Sequence, residues 1–473
     1  MRNVTLLIVL FLTGWMALPA QSPESAGSAT DIRFEISGMP QGYCRIIGMV
    51  GDQNYLADSV LSQNGVAHLK RDKPLDAGLF YFVFPDRRTF VQFLADKDQE
   101  FVMKTERNNL VGSMKVEGSL DNELFYRNQQ FEARWRQSYD STDAAIKAQP
   151  TGSMNLAFLE NKKDALLAAR KIEVDSYAKD HPESFYTIFK IAGQNPDLTY
   201  PKKENGTIDT LLQLVNYRDA YWNGVDLGDI RLLRTPVVSN KLTNYITKLT
   251  PQVPDSIVKY ADRVVRLSMG DPEVFKFIVN WIAIKYEKPE IMGGEKILVH
   301  LVDNFFTDEL VTWYKDKPEE LKKIRKKVAD MRPSMIGKVG QDLRCKNING
   351  DYETLYGMGS PIKVLWMYSY TCSHCKERSP VMAQILREWK AKGIDVYALC
   401  LDPEEDKWKE FVKKYDMEEF HNVIDPNYES RYYKKYHVDI TPEAFVLDQN
   451  NIIIAKDLHP NQLPPVFEKA LKK

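Results

Sequence analysis

Two cysteines separated by two residues, Cys372-Ser-His-Cys375, are the side chains best suited to chemistry in this sequence. The thiolate is the reactive form of cysteine, and its formation depends on what surrounds the sulfur. Ahead of the pair, Val364 to Tyr368 is a short, aromatic-rich apolar run ended by polar residues, which predicts a buried strand. Beyond Thr371 the apolar residues Val381, Ile385 and Trp389 recur at every fourth position, which predicts a helix. Cys372 is therefore expected at a strand-to-helix junction, where unsatisfied N–H groups and the helix dipole favour a thiolate. Cys375 follows one turn later on the same face, close enough to form a disulfide with it. The spacing predicts a redox pair.

The elements that must position the pair are predicted on both sides of it. A strand over Asp342 to Asn347 and a turn at Asn349-Gly350 lead to a second strand. After the cysteine-bearing helix, Ile394 to Leu401 reads as another buried strand and Lys407 to Tyr415 as a helix. Glu443 to Leu447 and Ile452 to Lys456 flank Asp448-Gln-Asn-Asn451 as a hairpin, and Pro464 to Lys472 closes the chain as a helix. Strands alternating with helices imply an α/β sheet with crossovers, to which an antiparallel hairpin is added.

Further upstream the pattern changes twice. From Asp31 onward short strands dominate: Ile32, Phe34 and Ile36 alternate with polar residues, and Asn64-Gly65 marks a tight hairpin. Strands of this length and spacing over 31–118 fit a small antiparallel β-sandwich or barrel, and the sandwich is the class adopted. Near Leu120 the period becomes helical, with Leu159, Leu166, Val174 and Tyr177 on one face. Asp255 after Pro254 is a candidate N-cap with Ile257, Ala261, Val264 and Leu267 as a core stripe behind it, and Asp271-Pro272 repeats the start. Residues 119–330 are thus expected to form a central all-α domain. Its last helix, within 316–330, is basic and could lie on a membrane surface, but a solvated helix before the linker at Met331-Arg-Pro333 is the preferred reading. Strong membrane association is not expected.

Length and composition agree with this division. The chain has 473 residues, is 44% hydrophobic and 27% charged, and carries a formal net charge of −1. A chain this long suggests about three domains, and near-neutral charge sets nucleic acid aside as a partner. Residues 1–20 read as a signal peptide, with Arg2 before an apolar stretch and Ala17-Leu-Pro-Ala20 as the cleavage region. Export to the periplasm or cell envelope follows. Cys44, Cys345 and Cys400 sit in apolar, strand-like surroundings and read as buried structural thiols.

The C-terminal part, 334–473, resembles the TlpA/ResA-like thioredoxin-fold proteins of the bacterial envelope. The likeness rests on Cys372-Ser-His-Cys375, on Pro380 eight residues after the first cysteine, and on Thr441-Pro442 ahead of the last hairpin. It implies a multidomain protein that ends in an α/β thioredoxin fold and acts as a thiol–disulfide oxidoreductase. Cys372 would attack a substrate disulfide and Cys375 would resolve the mixed disulfide. Thr441 and Pro442 would carry a cis peptide bond that offers backbone hydrogen bonds to the substrate. Pro380 would kink the active-site helix. No cofactor or metal is implied. Disulfide-containing envelope proteins would be the substrates, and a membrane or envelope thiol protein would exchange electrons with the pair. His374 would tune the Cys372 thiolate, or else simply face solvent. In one respect the sequence departs from many thioredoxins: Trp366 stands where they bury an acid. Asp402, Glu377 or a water would replace it, or resolution would be slow.

Three rival readings are weaker. A zinc site would need two ligands beyond the cysteines, and His421, His437 and Cys400 form no second paired motif. A peroxidase of the peroxiredoxin kind would want threonine and proline where Ser369 and Leu365 stand. An envelope binding or scaffold protein with a vestigial redox domain is the main alternative, but both cysteines are present.

Overall fold

The computed structural model describes residues 29–150, 153–438 and 440–472. The export segment expected at 1–20 lies outside the described residues. The chain divides into two compact units, with the boundary between Lys241 and Leu242.

The first unit is built on strands β1 (Thr30–Ser37), β2 (Gly42–Val50), β3 (Gln53–Gln63), β4 (Val66–Arg71), β5 (Gly78–Val83), β6 (Phe90–Ala95), β7 (Glu100–Glu106) and β8 (Lys115–Glu117). Alternation in β1 buries Ile32, Phe34 and Ile36 on one face, as period-two patterning requires. The β3–β4 hairpin turns at Asn64-Gly65, both at positive φ (51° and 78°), the conformation a two-residue turn of this kind needs. A Cβ on Gly65 would stand 2.8 Å from the Ile36 carbonyl oxygen, so the residue cannot carry a side chain.

The structure corrects the expected antiparallel sandwich. The eight strands form one sheet, in the order β6-β5-β2-β3-β4-β1-β7-β8, and β1 pairs with β7 in parallel. The sheet curls over itself: Phe34 of β1 stacks on Phe82 of β5 with ring centroids 4.0 Å apart, although four ladders separate the two strands. Alternation specifies which face of a strand is buried, but not the direction of its partner.

The helical region 119–330 is helical throughout its described residues apart from 3₁₀ and π turns, loops and an isolated Lys202–Ile208 bridge. It does not form a unit of its own. The helix Leu120–Lys147 joins the sheet core through Leu124, Phe125 and Tyr126, together with Tyr177, Phe185 and Tyr186. Asn122 accepts from Leu94 N–H and donates to Leu94 C=O, both at 2.8 Å. That pairs the peptide groups of one residue of β6, an edge strand. The helices after Lys241 belong to the second unit. There the helix Pro254–Leu267 starts two residues earlier than expected: Val253 is the N-cap, Pro254 occupies the first turn, and Asp255 lies inside it. Leu267, at the helix end, is 48% exposed and leaves the predicted stripe. Asp271 does cap Pro272–Lys285, accepting from the N–H groups of Glu273 and Val274.

The second unit also holds β9 (Arg344–Asn347), β10 (Tyr352–Thr354), β11 (Ile362–Tyr368), β12 (Ile394–Cys400), β13 (His421–Ile424), β14 (Glu443–Leu447) and β15 (Ile453–Lys456). They form a seven-stranded sheet in the order β10-β9-β13-β12-β11-β14-β15. Strands β11, β12 and β13 run parallel, while β14 runs antiparallel to β11. Strand β11 is buried along its whole length. Val364, Trp366 and Tyr368 enter one core cluster, and Leu365 and Met367 the opposite one. A strand covered on both faces reads as an unbroken apolar run, as this one does. Among the described residues no helix is long and apolar enough to cross a membrane.

His421 at the start of β13 faces two carboxylates, Asp395 Oδ2 at 3.1 Å and Glu353 Oε2 at 3.3 Å. The hydrogen bond with Asp395 raises its pKa above the ordinary value, against the opposing effect of partial burial. A raised folded-state pKa stabilises below the unfolded pKa, and that stability is lost as pH rises through the folded value. Because the side chain is 36% exposed, solvent screening limits the effect to about 0.5–1 kcal/mol. Denaturant unfolding at pH 6 and pH 9 should show this loss in the wild type but not in His421→Gln. Identical pH dependence in both proteins would remove the assignment.

Candidate active site

Strand β11 ends at Tyr368 and the active-site helix runs from Ser373 to Trp389, with Cys372 as its N-cap residue. The expected junction is therefore where the first cysteine sits. Cys375 lies in the first turn and is fully buried, packed in the same cluster as Trp366, Tyr368 and Met382. Pro380 is inside the helix, where its ring nitrogen supplies no hydrogen-bond donor. All five cysteines are free thiols.

From the far side of the site comes the loop ahead of β14, which contains a cis Thr441–Pro442 peptide bond. Cys372 Sγ donates to the Thr441 carbonyl oxygen at 3.2 Å. Cys372, Cys375, Thr441 and Pro442 are thus brought together from positions about seventy residues apart in sequence.

The two sulfurs differ in environment. For Cys372, burial opposes ionisation, yet hydrogen bonding from the Thr441 side chain, the Cys375 N–H and thiol, and the His374 N–H holds its pKa below the ordinary value. For Cys375, burial dominates and pushes the thiol up to about 12, although the Ser369 N–H works in the other direction. One thiol is prepared to attack. The other is withheld.

His374 does not meet the expectation of an imidazole lying against the thiolate. Its side chain is 66% exposed, with Nδ1 3.9 Å from Glu377 Oε2, and it is the His374 N–H that bears on Cys372. Glu377 is itself 76% exposed. Asp402 is different: its Oδ2 accepts from Ser369 Oγ at 2.7 Å and from Thr371 N–H at 3.4 Å. Ser369 in turn donates its N–H to Cys375 Sγ at 3.4 Å and accepts the Cys372 N–H on its carbonyl at 3.2 Å. Sequence reasoning missed this use of Ser369 because it runs through the peptide group, which no residue type announces. Of the residues considered for zinc, His421 holds two carboxylates and Cys400 is the buried last residue of β12.

A strand, a thiol at a helix N-terminus and a facing cis-proline loop at one end of the sheet define a thioredoxin-fold redox domain. Residues 336–456 match the family model of the AhpC/TSA family. A thiol–disulfide oxidoreductase ResA of Bacillus cereus is 27% identical over 128 residues, 27% of this chain and 72% of that protein. ResA of Bacillus thuringiensis subsp. konkukian is 31% identical over 102 residues, and here the match spans 22% of this chain and 57% of the relative. Among solved structures, a thioredoxin-like protein from Bacteroides caccae is 15% identical, with 59% of this chain and 99% of that chain covered and a TM-score of 0.47. The C-terminal domain is TlpA/ResA-like, in the thiol–disulfide oxidoreductase class.

Iodoacetamide should alkylate Cys372 with a pH midpoint below that of a free thiol (about 8.5), while Cys375 stays unreactive up to pH 9. Equal labelling of both cysteines at pH 7 would contradict the asymmetry.

Proposed function

We propose that the protein is an exported thiol–disulfide oxidoreductase that reduces or exchanges disulfides in proteins of the cell envelope through Cys372 and Cys375. The observation that carries this reading is the pairing of an accessible, easily ionised Cys372 with a buried Cys375, beneath the cis Thr441–Pro442 peptide. Cys372 thiolate attacks one sulfur of the substrate disulfide, and the other sulfur leaves with the electron pair. Cys375 then attacks Cys372 Sγ, closing the internal disulfide and releasing the reduced substrate. The peptide groups around Thr441 and Pro442 offer hydrogen-bonding positions for a substrate strand, as strand addition uses elsewhere. Export rests on the sequence of residues 1–20, and places the protein in the periplasm with disulfide-containing envelope proteins as substrates. A membrane or envelope thiol protein returns the pair to its starting state. No bound cofactor takes part in these steps.

With dithiothreitol as electron source, the full chain should accelerate insulin disulfide reduction, and Cys372→Ser should abolish the acceleration. If both proteins are inert while a partner co-purifies with the upstream region, the scaffold reading replaces this one. The direction of flow is read from the potential of the pair. A value near about −270 mV supports a reductase, and one near about −120 mV an oxidant.

A further inference from the structure

We infer that Asp402, acting through Ser369, is a positioning residue for the second half of the reaction: it holds the peptide N–H that receives the Cys375 thiolate as it forms. The inference rests on the redox reading above and concerns a step that reading leaves unexplained. Cys375 is fully buried in an apolar cluster, and a sulfur in such surroundings ionises only if a donor is already aimed at it. Trp366, where an acid would be expected, is part of that cluster and can neither accept nor relay a proton.

The donor is the Ser369 N–H, 3.4 Å from Cys375 Sγ. Ser369 lies one residue beyond the end of β11. The peptide that carries its N–H is held on the other side, where Tyr368 C=O accepts from Leu401 N–H at 2.9 Å, and the Ser369 side chain adds a second hold. Ser369 Oγ donates to Asp402 Oδ2 at 2.7 Å, and the same carboxylate oxygen accepts from Thr371 N–H at 3.4 Å. Asp402 is held in turn by the parallel neighbour: Tyr368 pairs with Cys400 in the β11–β12 ladder, and Leu401 N–H donates to Tyr368 C=O at 2.9 Å. The loop that bears the Ser369 N–H contact to Cys375 Sγ is thereby tied to the segment after β12 by that backbone bond and by the Asp402 carboxylate. With a hydroxyl and a peptide group between it and the sulfur, Asp402 organises the donor and does not take the proton itself.

In the step concerned, the Cys375 proton passes to water and Cys375 Sγ bonds to Cys372 Sγ. The bond from Cys372 to the substrate sulfur breaks, and that sulfur leaves with the electron pair and is protonated by solvent. The pair is oxidised by two electrons and the substrate disulfide is reduced by two.

The two half-reactions can be watched separately with dithiobis(nitrobenzoate), a disulfide whose two coloured thiols leave one per step. Attack by Cys372 releases the first, and attack by Cys375 on the resulting mixed disulfide releases the second. In the reduced full-length protein, Asp402→Ala and Ser369→Ala should each lower the ratio of second-step to first-step rate about tenfold, as expected for loss of a well-aimed hydrogen bond to a charged group. The pH midpoint of the second step should move upward in both. Asp402→Asn keeps an acceptor for Ser369 Oγ and should restore the ratio to within about threefold of wild type. A ratio and midpoint unchanged in Ser369→Ala, or both steps slowed equally in every variant, would overturn the positioning role. A wild-type protein that releases only the first thiol also overturns it, while leaving Cys372 reactivity intact. Release of neither thiol defeats the redox reading itself.

Discussion

Burial of β11 on both faces is the constraint from which the site follows. A strand that feeds alternate side chains into two cores cannot slip by one residue without exchanging every one of them between clusters. Trp366 and Tyr368 on one side and Leu365 and Met367 on the other therefore fix the register against β12 and β14. With the register fixed, the chain leaves the sheet at Ser369, and the helix must begin within a few residues. Cys372 becomes its N-cap residue as a consequence of packing, not of any interaction between the cysteines. The same registers bring Met367 opposite Glu443, the residue after Pro442, so the cis-proline loop reaches the same end of the sheet.

Once placed there, the two thiols are separated by two residues and by a large difference in solvation. Both feel desolvation as the first influence on their ionisation, and only Cys372 has enough surrounding donors to reverse it. The Thr441 side chain is the first of those donors, followed by groups of the first helical turn that include its peptide N–H groups, which are unpaired in every helix. The fold and the Thr441 side chain together supply the asymmetry. This is why the absence of an acid at Trp366 bears on the resolving thiol more than on the attacking one.

Much of the C-terminal domain was legible in the sequence because its signals are local. The apolar run of β11, the helical spacing of Val381, Ile385 and Trp389, and the Asp448-Gln-Asn-Asn451 turn each encode an element within a dozen residues. Thr441-Pro442 was legible only through resemblance, since nothing in a Thr-Pro pair declares which residue it will face. The upstream region shows the opposite case. Its strands and the Asn64-Gly65 turn could be read, but the parallel β1–β7 ladder joins segments about seventy residues apart, and alternation is silent about direction. Helices after Ser119 read as amphipathic, but their apolar faces do not say that some will complete a sheet core and others a different unit. Asp402 stood among the carboxylates worth considering; the Ser369 peptide that gives it meaning did not.

The exposed His374 side chain follows from the same geometry. The first turn of a helix turns some residues inward and others to solvent, and Cys375 takes the inward position behind Cys372. His374 is then carried outward, and any charge on its ring is shared with water and with Glu377 before it reaches the sulfur. Its peptide N–H has no such freedom, because the helix aims it at the N-cap residue. The dipeptide between the cysteines thus acts in two separable ways: its backbone stabilises the thiolate whatever its side chains are, and its side chains meet whatever approaches Cys372.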